Sequence, residues 1–434
     1  MSELLDVFLY DYRIGSLRRN GVEIYVFEYD DNWAQSDNTT SLSLSLPLPQ
    51  RRHSGRAVAN FIDNLLPDNP EVRQRWAMDV GLDSDEPFFL LQHYGQDVAG
   101  AVSFRAPGAA IESRREGVSD HQIAERIRQL KDDDTAWHDD QIAAIGQFSL
   151  GGAQTKFSLA RHDDCWFETV GGDPSTHVFK PQVKGVPDGE LIEYVVMRAA
   201  YLLGIPAASV DLFIAGDQHS LVVERFDRRQ EGGKTIRLHQ EDLVQSLGLP
   251  RLRKFESQGG PGIDDIMGLL ARSSDKQSRA RYAVLLMFSW LVLSTDAHAK
   301  NYSVYLQPEG AILTPLYDAS SVIPYLSPDP ETDMESILRR AGERKLAVNY
   351  GASFLARDVA LFELGAIARA AGMPTDDLLA SVALCLLEIS ATMSDIASTL
   401  PAHLQTDTVA RLVDWMPVRA KQAAEALGIG DLLH

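Results

Sequence analysis

Hydrophobic and polar positions change their period twice along the chain. In the first hundred residues the apolar runs are short. Phe8 to Tyr10, Val22 to Tyr29 and Leu42 to Leu48 read as strands, the last with leucine–serine alternation over most of its length. Asn60 to Leu66 reads as a helix stopped by Pro67, and Pro70 to Val80 as another. An acidic, helix-rich bridge follows around Ala124 to Asp140, with Asp132, Asp133 and Asp134 in its middle. From 141 to about 228 the period is again that of strands: Phe157–Ala160, Trp166–Val170, His177–Phe179, Val210–Ile214 and Leu221–Glu224. One helix interrupts them, from near Glu190 to Leu203, with Asp188 as its N-cap and Gly204 as its stop. Beyond Asp242 the pattern is helical, at Asp264–Arg272, Lys276–Leu293, Phe354–Ala371, Asp376–Thr399 and Thr406–Leu427. No repeat of 20 to 50 residues runs through the chain.

The expected fold class is therefore α+β: a β-rich lobe, then an all-helical lobe, preceded by a small mixed domain. The expected domains are 1–135, N-terminal domain with its bridge; 136–228, β-rich lobe; and 229–434, helical lobe. A two-lobed enzyme fits this order better than a binding module.

Composition changes the picture only at its margins. The 434 residues hold 41 Lys and Arg against 61 Asp and Glu, a net charge of −20, which opposes extended unaided binding to nucleic acid. The local basic groups, Arg251, Arg253 and Lys254 or Arg339, Arg340, Arg344 and Lys345, read as solvated helix faces. Two cysteines, Cys165 and Cys385, allow no zinc spacing and no disulfide framework, so a reducing cytoplasm is expected. The N-terminus, with Glu3, Asp6 and Asp11, has no basic region of a signal peptide. The longest uncharged apolar run, Tyr282 to Thr295, is shorter than the roughly 20 residues of a membrane span and reads as a buried helix.

The chemistry concentrates just after that helix, in Thr295-Asp296-Ala297-His298-Ala299-Lys300-Asn301. Tyr302 to Leu306, the turn Pro308-Glu309-Gly310 and Ala311 to Tyr317 then read as a hairpin. Asn301 lies eight residues before Glu309 and Asp318 nine after it, so the hairpin returns Asp318 to Asn301. Directly opposed residues sit about 4.5–5.5 Å apart at Cβ, close enough to share one cation. Two oxygen ligands, completed by water and substrate phosphates, is how Mg²⁺ is usually held. Asp296 precedes Asn301 by five residues. Asp-x-x-x-x-Asn is the spacing of the protein-kinase catalytic loop, where the Asp takes the proton of the attacking hydroxyl. Singly, Asp296 or Asn301 also suits a helix cap or a turn; the three together favour chemistry.

Three further elements are weaker alone. Ser149-Leu150-Gly151-Gly152-Ala153-Gln154-Thr155-Lys156 is a small-residue loop before a strand, able to bring backbone N–H groups to phosphates or simply to turn. It is not a Walker A loop. Lys180 closes an apolar strand before Pro181, where it can reach α- and β-phosphates, with Glu190 or Glu193 on the next helix to orient it, or be an ordinary exposed strand-end lysine. Glu224-Arg225-Phe226-Asp227 ends the β-rich lobe, where a strand can offer backbone groups to adenine or be a plain edge.

In this order these residues resemble the HipA family of bacterial toxin kinases. Ser43 to Leu48 and Phe61 to Asp68 are similar to its N-terminal domain; Gly152-Ala153-Gln154 with Lys156, Phe179-Lys180-Pro181, Val223 to Arg228, His239 to Asp242 and Asp296 to Asn301 are similar to its kinase core. The likeness runs over roughly residues 5 to 400. It implies a protein-kinase-like fold and a serine/threonine kinase using ATP and Mg²⁺, the toxin of a toxin–antitoxin pair. It further implies a HipB-type helix-turn-helix antitoxin, expected as a dimer bridging two toxin chains. Operator DNA would be reached mainly through that antitoxin, and the protein substrate would be an aminoacyl-tRNA synthetase. Carried over by motif, Asp296 is the base and Asn301 and Asp318 the Mg²⁺ ligands. The loop from Gly151 through Gly152, Ala153, Gln154 and Thr155 to Lys156 would hold phosphates together with Lys180. Glu224, Arg225 and Phe226 would face adenine. His298, Lys300 and Tyr317 join the nucleotide-binding set. Ser149 matches the autophosphorylated serine, where a phosphate of about −1.5 to −2 charge would repel ATP and shut the site.

Three positions depart from the family pattern: Gly151 for Ala or Pro, Thr155 for Glu or Pro, and Ala297 for Gly. Two other classes remain open on sequence. One is a non-catalytic co-repressor that binds antitoxin and DNA, the other a kinase of small molecules.

Overall fold

The computed structural model describes residues 3–21, 24–109, 113–132, 156–272, 275–329, 332–351 and 353–433. They form two compact units that interleave along the chain. The first comprises residues 1–184, 212–253 and 303–311; the second comprises 185–211, 254–302 and 312–434.

The first unit is built on two main sheets. One has five antiparallel strands in the order Arg52–Ser54, Tyr25–Tyr29, Tyr12–Arg19, Leu4–Leu9 and Val102–Arg105. Its inward positions, Leu5, Val7 and Leu9 on the Leu4–Leu9 strand, alternate with less buried ones, as period 2 demands. The other main sheet has six strands, ordered Val210–Ala215, Gln218–Glu224, His177–Lys180, Phe157–His162, Cys165–Gly171 and Ser113–Val118. Phe157 stacks on Phe179 across it at 4.8 Å, and the helix Asp120–Asp132 adds Ile123, Ile127 and Leu130 to the same core. A small sheet sets Gln240–Asp242 against Ser303–Gln307, with Gly310–Leu313 beyond.

The second unit is helical, with helices at Gly189–Leu202, Ile263–Leu270, Ser278–Leu291, Met334–Gly342, Leu361–Ala371, Thr375–Ser398 and Asp407–Ala426. Ser278–Leu291 is buried on nearly every side. Among the described residues one helix, Thr375–Ser398, is long and apolar enough by length and composition to cross a bilayer. It turns Leu378, Val382, Leu386, Ile389 and Met393 into this unit and carries Asp376, Asp377, Glu388 and Asp395.

The mixed α+β class is as expected, sheets first and helices after. Leu42 to Leu48, expected as a strand, is instead a turn with a single bridge between Ser43 and Leu46. The serines bend it: the Ser45 amide donates to Ser43 Oγ at 3.1 Å, and Leu46 N donates to Ser43 O at 3.1 Å. The helix expected from Phe354 begins only at Leu361, where Glu363 accepts from the Ala360 amide and fixes the start. Asp188 precedes its helix in the left-handed region, with no side-chain capping bond. The helix Pro87–Tyr94 and the strand Ser113–Val118 carry no clear period, the first apolar but for Gln92 and His93 and the second an exposed charged edge.

Candidate functional site

The helix Ser278–Leu291 ends in a turn that launches the Asp296 segment. Ser294 N donates to Ser289 O at 2.8 Å and Leu293 N to Trp290 O at 3.2 Å, with Leu293 at φ 52. This is a Schellman end, in which the left-handed position normally holds glycine. A leucine there costs about 1–2 kcal/mol of backbone strain. Leu293 is fully buried, and its carbonyl accepts from Val322 N at 3.3 Å.

From there the chain closes into a tight loop. His298 N donates to Asp296 O at 2.8 Å, and Asn301 N to His298 O at 2.9 Å. Asn301 Nδ2 donates to Asp296 O at 2.8 Å and to Asp318 O at 3.5 Å. The amide nitrogen is thus spent on the backbone, which leaves Oδ1 as the atom suited to a cation. Asn301 is buried, while the Asp296 side chain is 76% exposed and open to an incoming hydroxyl. His298 is buried, edge-on to Phe255 at 4.8 Å, and its Nε2 lies 3.8 Å from Asp296 Oδ1.

Asp318 arrives as the hairpin spacing requires. After Gly310–Leu313 the chain is pinned at Leu316, which exchanges bonds of 2.8 Å with Pro206 O and Ala208 N. Tyr317 Oη then donates to Lys300 O at 2.8 Å. Asp318 follows in the left-handed region at φ 58. An aspartate tolerates that conformation better than most residues. The structure therefore brings Asp296, His298, Lys300, Asn301, Tyr317 and Asp318 into one group. Among the described residues no three His, Cys, Asp or Glu side chains cluster as a metal site. A pair of oxygen donors from Asn301 and Asp318 fits a magnesium ion that keeps waters and phosphate oxygens as its other ligands.

The other described residues expected at the nucleotide lie in the β-rich unit. Lys180 is buried at the end of His177–Lys180, opposite Leu221 in register. Lys156 is half-buried just before Phe157–His162. Ser149 and Gly151, Gly152, Ala153, Gln154 and Thr155 lie outside the described residues. Glu224 is exposed and Phe226 half-buried; Phe226 O accepts from Tyr305 Oη at 2.8 Å. Glu190 and Glu193, in the helical unit, are both buried.

Arg225 is placed differently from its neighbours. Its guanidinium is buried on Asp227, at 2.9 Å and 2.8 Å, on Ser175 Oγ at 3.0 Å and on Val98 O at 3.0 Å. Its amide donates to Thr176 O at 2.9 Å. Arg225 thus anchors the segment and does not present its side chain to a ligand. Asp97 completes this cluster, accepting from Arg228 at 2.9 Å and Arg237 at 3.3 Å. Burial alone would raise the Asp97 carboxyl; Arg225, Arg228 and Arg237 instead hold it well below the usual carboxylate range. Asp97 and Arg237 carry no spacing signal in the sequence, and Arg228 stands out there only as the end of the Val223 to Arg228 stretch.

A family model described as the HipA-like C-terminal domain matches residues 148–384, and one described as the HipA N-terminal domain matches 5–105. Y4mE of Sinorhizobium fredii, a protein named as a kinase, is 32% identical over 318 residues, 71% of this chain and 74% of that one. The serine/threonine-protein kinase toxin HipA of Shewanella oneidensis is 27% identical over 94% of both chains. A solved Shewanella oneidensis complex of HipA, HipB and operator DNA contains a chain matching with a TM-score of 0.80. That match has 25% identity and covers 98% of this chain and 99% of the other.

Proposed function

The chain belongs to the HipA family, and from that premise we propose that it is a serine/threonine protein kinase acting as the toxin of a toxin–antitoxin pair. The observation that carries the reading is the closed Asp296–Asn301 loop with Asp318 beside it. It sets the exposed Asp296 carboxylate and the Asn301 amide on one closed loop, with the Asp318 backbone carbonyl beside that amide.

In this mechanism a substrate serine or threonine hydroxyl approaches Asp296, whose carboxylate takes the proton. The hydroxyl oxygen bonds to the γ-phosphorus, the bond to the β-phosphate oxygen breaks, and ADP leaves. Asn301 and Asp318 would hold Mg²⁺, which when bound neutralises charge on the phosphates. Lys180, Lys156 and the loop from Gly151 to Thr155 bind the phosphates. Glu224 and Phe226 border the adenine, with Arg225 behind them as their anchor. His298 and Tyr317 fix the loop, Tyr317 through its bond to Lys300 O. Positioning and electrostatics supply most of the rate in such transfers.

The proposed partner is a HipB-type antitoxin, through which operator DNA is reached; support comes from the relative solved with HipB and its operator. The net charge of −20 favours contact with DNA through that partner. The reading includes a cytoplasmic location, in keeping with the free cysteines Cys165 and Cys385. It also takes an aminoacyl-tRNA synthetase as substrate. Incubating the purified chain with Mg-ATP and a panel of synthetases tests this. Label on one synthetase, absent with Asp296→Asn, is the expected result. Label confined to proteins of another class would remove the synthetase, and no transfer to any protein would remove the kinase.

A further inference from the structure

The helix Asp407–Ala426 lies beyond the stretch 148–384 matched by the C-terminal family model, yet one of its residues reaches the root of the Asp296 segment. Arg419 is buried. Its Nη2 donates to Trp290 O at 2.9 Å, its Nη1 to Gln422 Oε1 at 2.9 Å, and its guanidinium carbon sits 4.7 Å from the centre of the Trp290 ring. Among the described residues no carboxylate pairs with it, and burial pulls its guanidinium down to about 9. A buried cation without a counter-charge costs stability, and an apolar side chain of similar size is often tolerated better.

What Arg419 touches explains its place. Trp290 O is the carbonyl that also receives Leu293 N in the Schellman end, the turn that forces Leu293 into the left-handed region. A cation at a helix C-terminus complements the partial negative charge there. Three residues past Leu293 stands Asp296, and Leu293 O is the acceptor for Val322 N, on the segment that follows Asp318. The strained turn is thus the hinge between the proposed base and the segment that follows the proposed metal ligand.

We propose that Arg419 is a positioning residue, locking the left-handed turn at Leu293 and through it the aim of Asp296 and Asn301. This rests on the kinase reading. It is separable from that reading, because the turn can be followed without any reaction.

The experiment compares the full wild-type chain with Arg419→Met and Arg419→Lys by three readouts. Hydrogen–deuterium exchange of the Leu293 to Asn301 amides is expected to speed up in Arg419→Met, with exchange of the Ser278–Leu291 helix unchanged. The kcat for phosphoryl transfer should fall by about ten- to a hundredfold, the scale of a small misplacement of reacting groups, with the KM for ATP little changed. The melting temperature should hold or rise, and Arg419→Lys should recover part of the rate. Wild-type exchange and wild-type kcat in Arg419→Met would overturn the proposal. So would a rate loss accompanied by a lowered melting temperature and faster exchange along the whole helix, which would make Arg419 a general stability residue. If the wild-type chain transfers no phosphate, the kinase reading fails, and the exchange data alone decide the role of Arg419.

Discussion

Glu241 shows how one residue's surroundings set a measurable property. It is completely buried, and Leu44 N and Ser246 Oγ each donate to its Oε1 at 2.9 Å. Burial outweighs these bonds and pushes its carboxyl from 4.5 up to about 7. Unfolded, the group loses its proton near 4.5; folded, it keeps it to about 7. Between those values the native state holds more protons, so stability falls as pH rises through the window, and the full penalty stands above it. Glu241→Gln removes the penalty while keeping an oxygen for both donors. The variant should match wild type below pH 4.5 and exceed it above pH 7 by about 3 kcal/mol, the product of the shift and roughly 1.4 kcal/mol per unit. Denaturant midpoints across that range measure it; equal midpoints at high pH would show that Glu241 is solvated or already ionised. Leu293 behaves in the opposite way. Its left-handed conformation has no counterpart in its identity, since the sequence reads there as the unbroken end of an apolar helix.

At the scale of elements, the Asp97 cluster ties together stretches far apart in the chain. Asp97 belongs to the region matched as the N-terminal domain, Ser175, Arg225, Arg228 and Arg237 to the region matched as the C-terminal one. Gly100 N donates to Asp227 at 2.7 Å, and Arg228 returns a bond to Gly100 O at 2.9 Å. At Gly100, φ is +78 and an added Cβ would stand 2.7 Å from Gln240 O, so only glycine fits. Removing one member leaves buried charge unanswered. Asp97→Ala should lower stability by about 3–5 kcal/mol in denaturant unfolding. A loss within about 0.5 kcal/mol, the range of ordinary surface changes, would mean the arginines find other partners or water. Such clusters are invisible to periodicity because their members are isolated polar residues whose meaning comes from tertiary neighbours. The elements that were legible had a period or a punctuating residue. Ser278–Leu291 is a long apolar run, the hairpin around Glu309 is marked by Pro308 and Gly310, and Gly189–Leu202 is stopped by Gly204. Leu42 to Leu48 misled for a physical reason: serine side chains can satisfy backbone groups locally, and here they bend an alternating segment into a turn. Asp296, Asn301 and Asp318 were readable because a fixed spacing and a hairpin suffice to bring them together. The burial of the Arg225 side chain was not, because nothing local in Glu224-Arg225-Phe226-Asp227 says which face turns inward.

The whole molecule comprises a sheet-built unit and a helical unit. The helical unit carries Asp296, the proposed base, and Asn301 and Asp318, the proposed metal ligands. Lys156, Lys180 and the segment Glu224 to Phe226, proposed for the nucleotide, lie in the sheet-built unit. The acidic total favours a division of labour in which DNA contact falls to an antitoxin. All of this depends on the chain moving a phosphoryl group. The most direct measurement is transfer of labelled γ-phosphate from Mg-ATP onto the purified chain, mapped by peptide mass, with Asp296→Asn alongside. Label is expected on Ser149, reduced at least about 10²–10⁴-fold in the variant, which still binds ATP. A chain known to start unphosphorylated, which binds ATP yet labels neither itself nor any protein substrate, would contradict it.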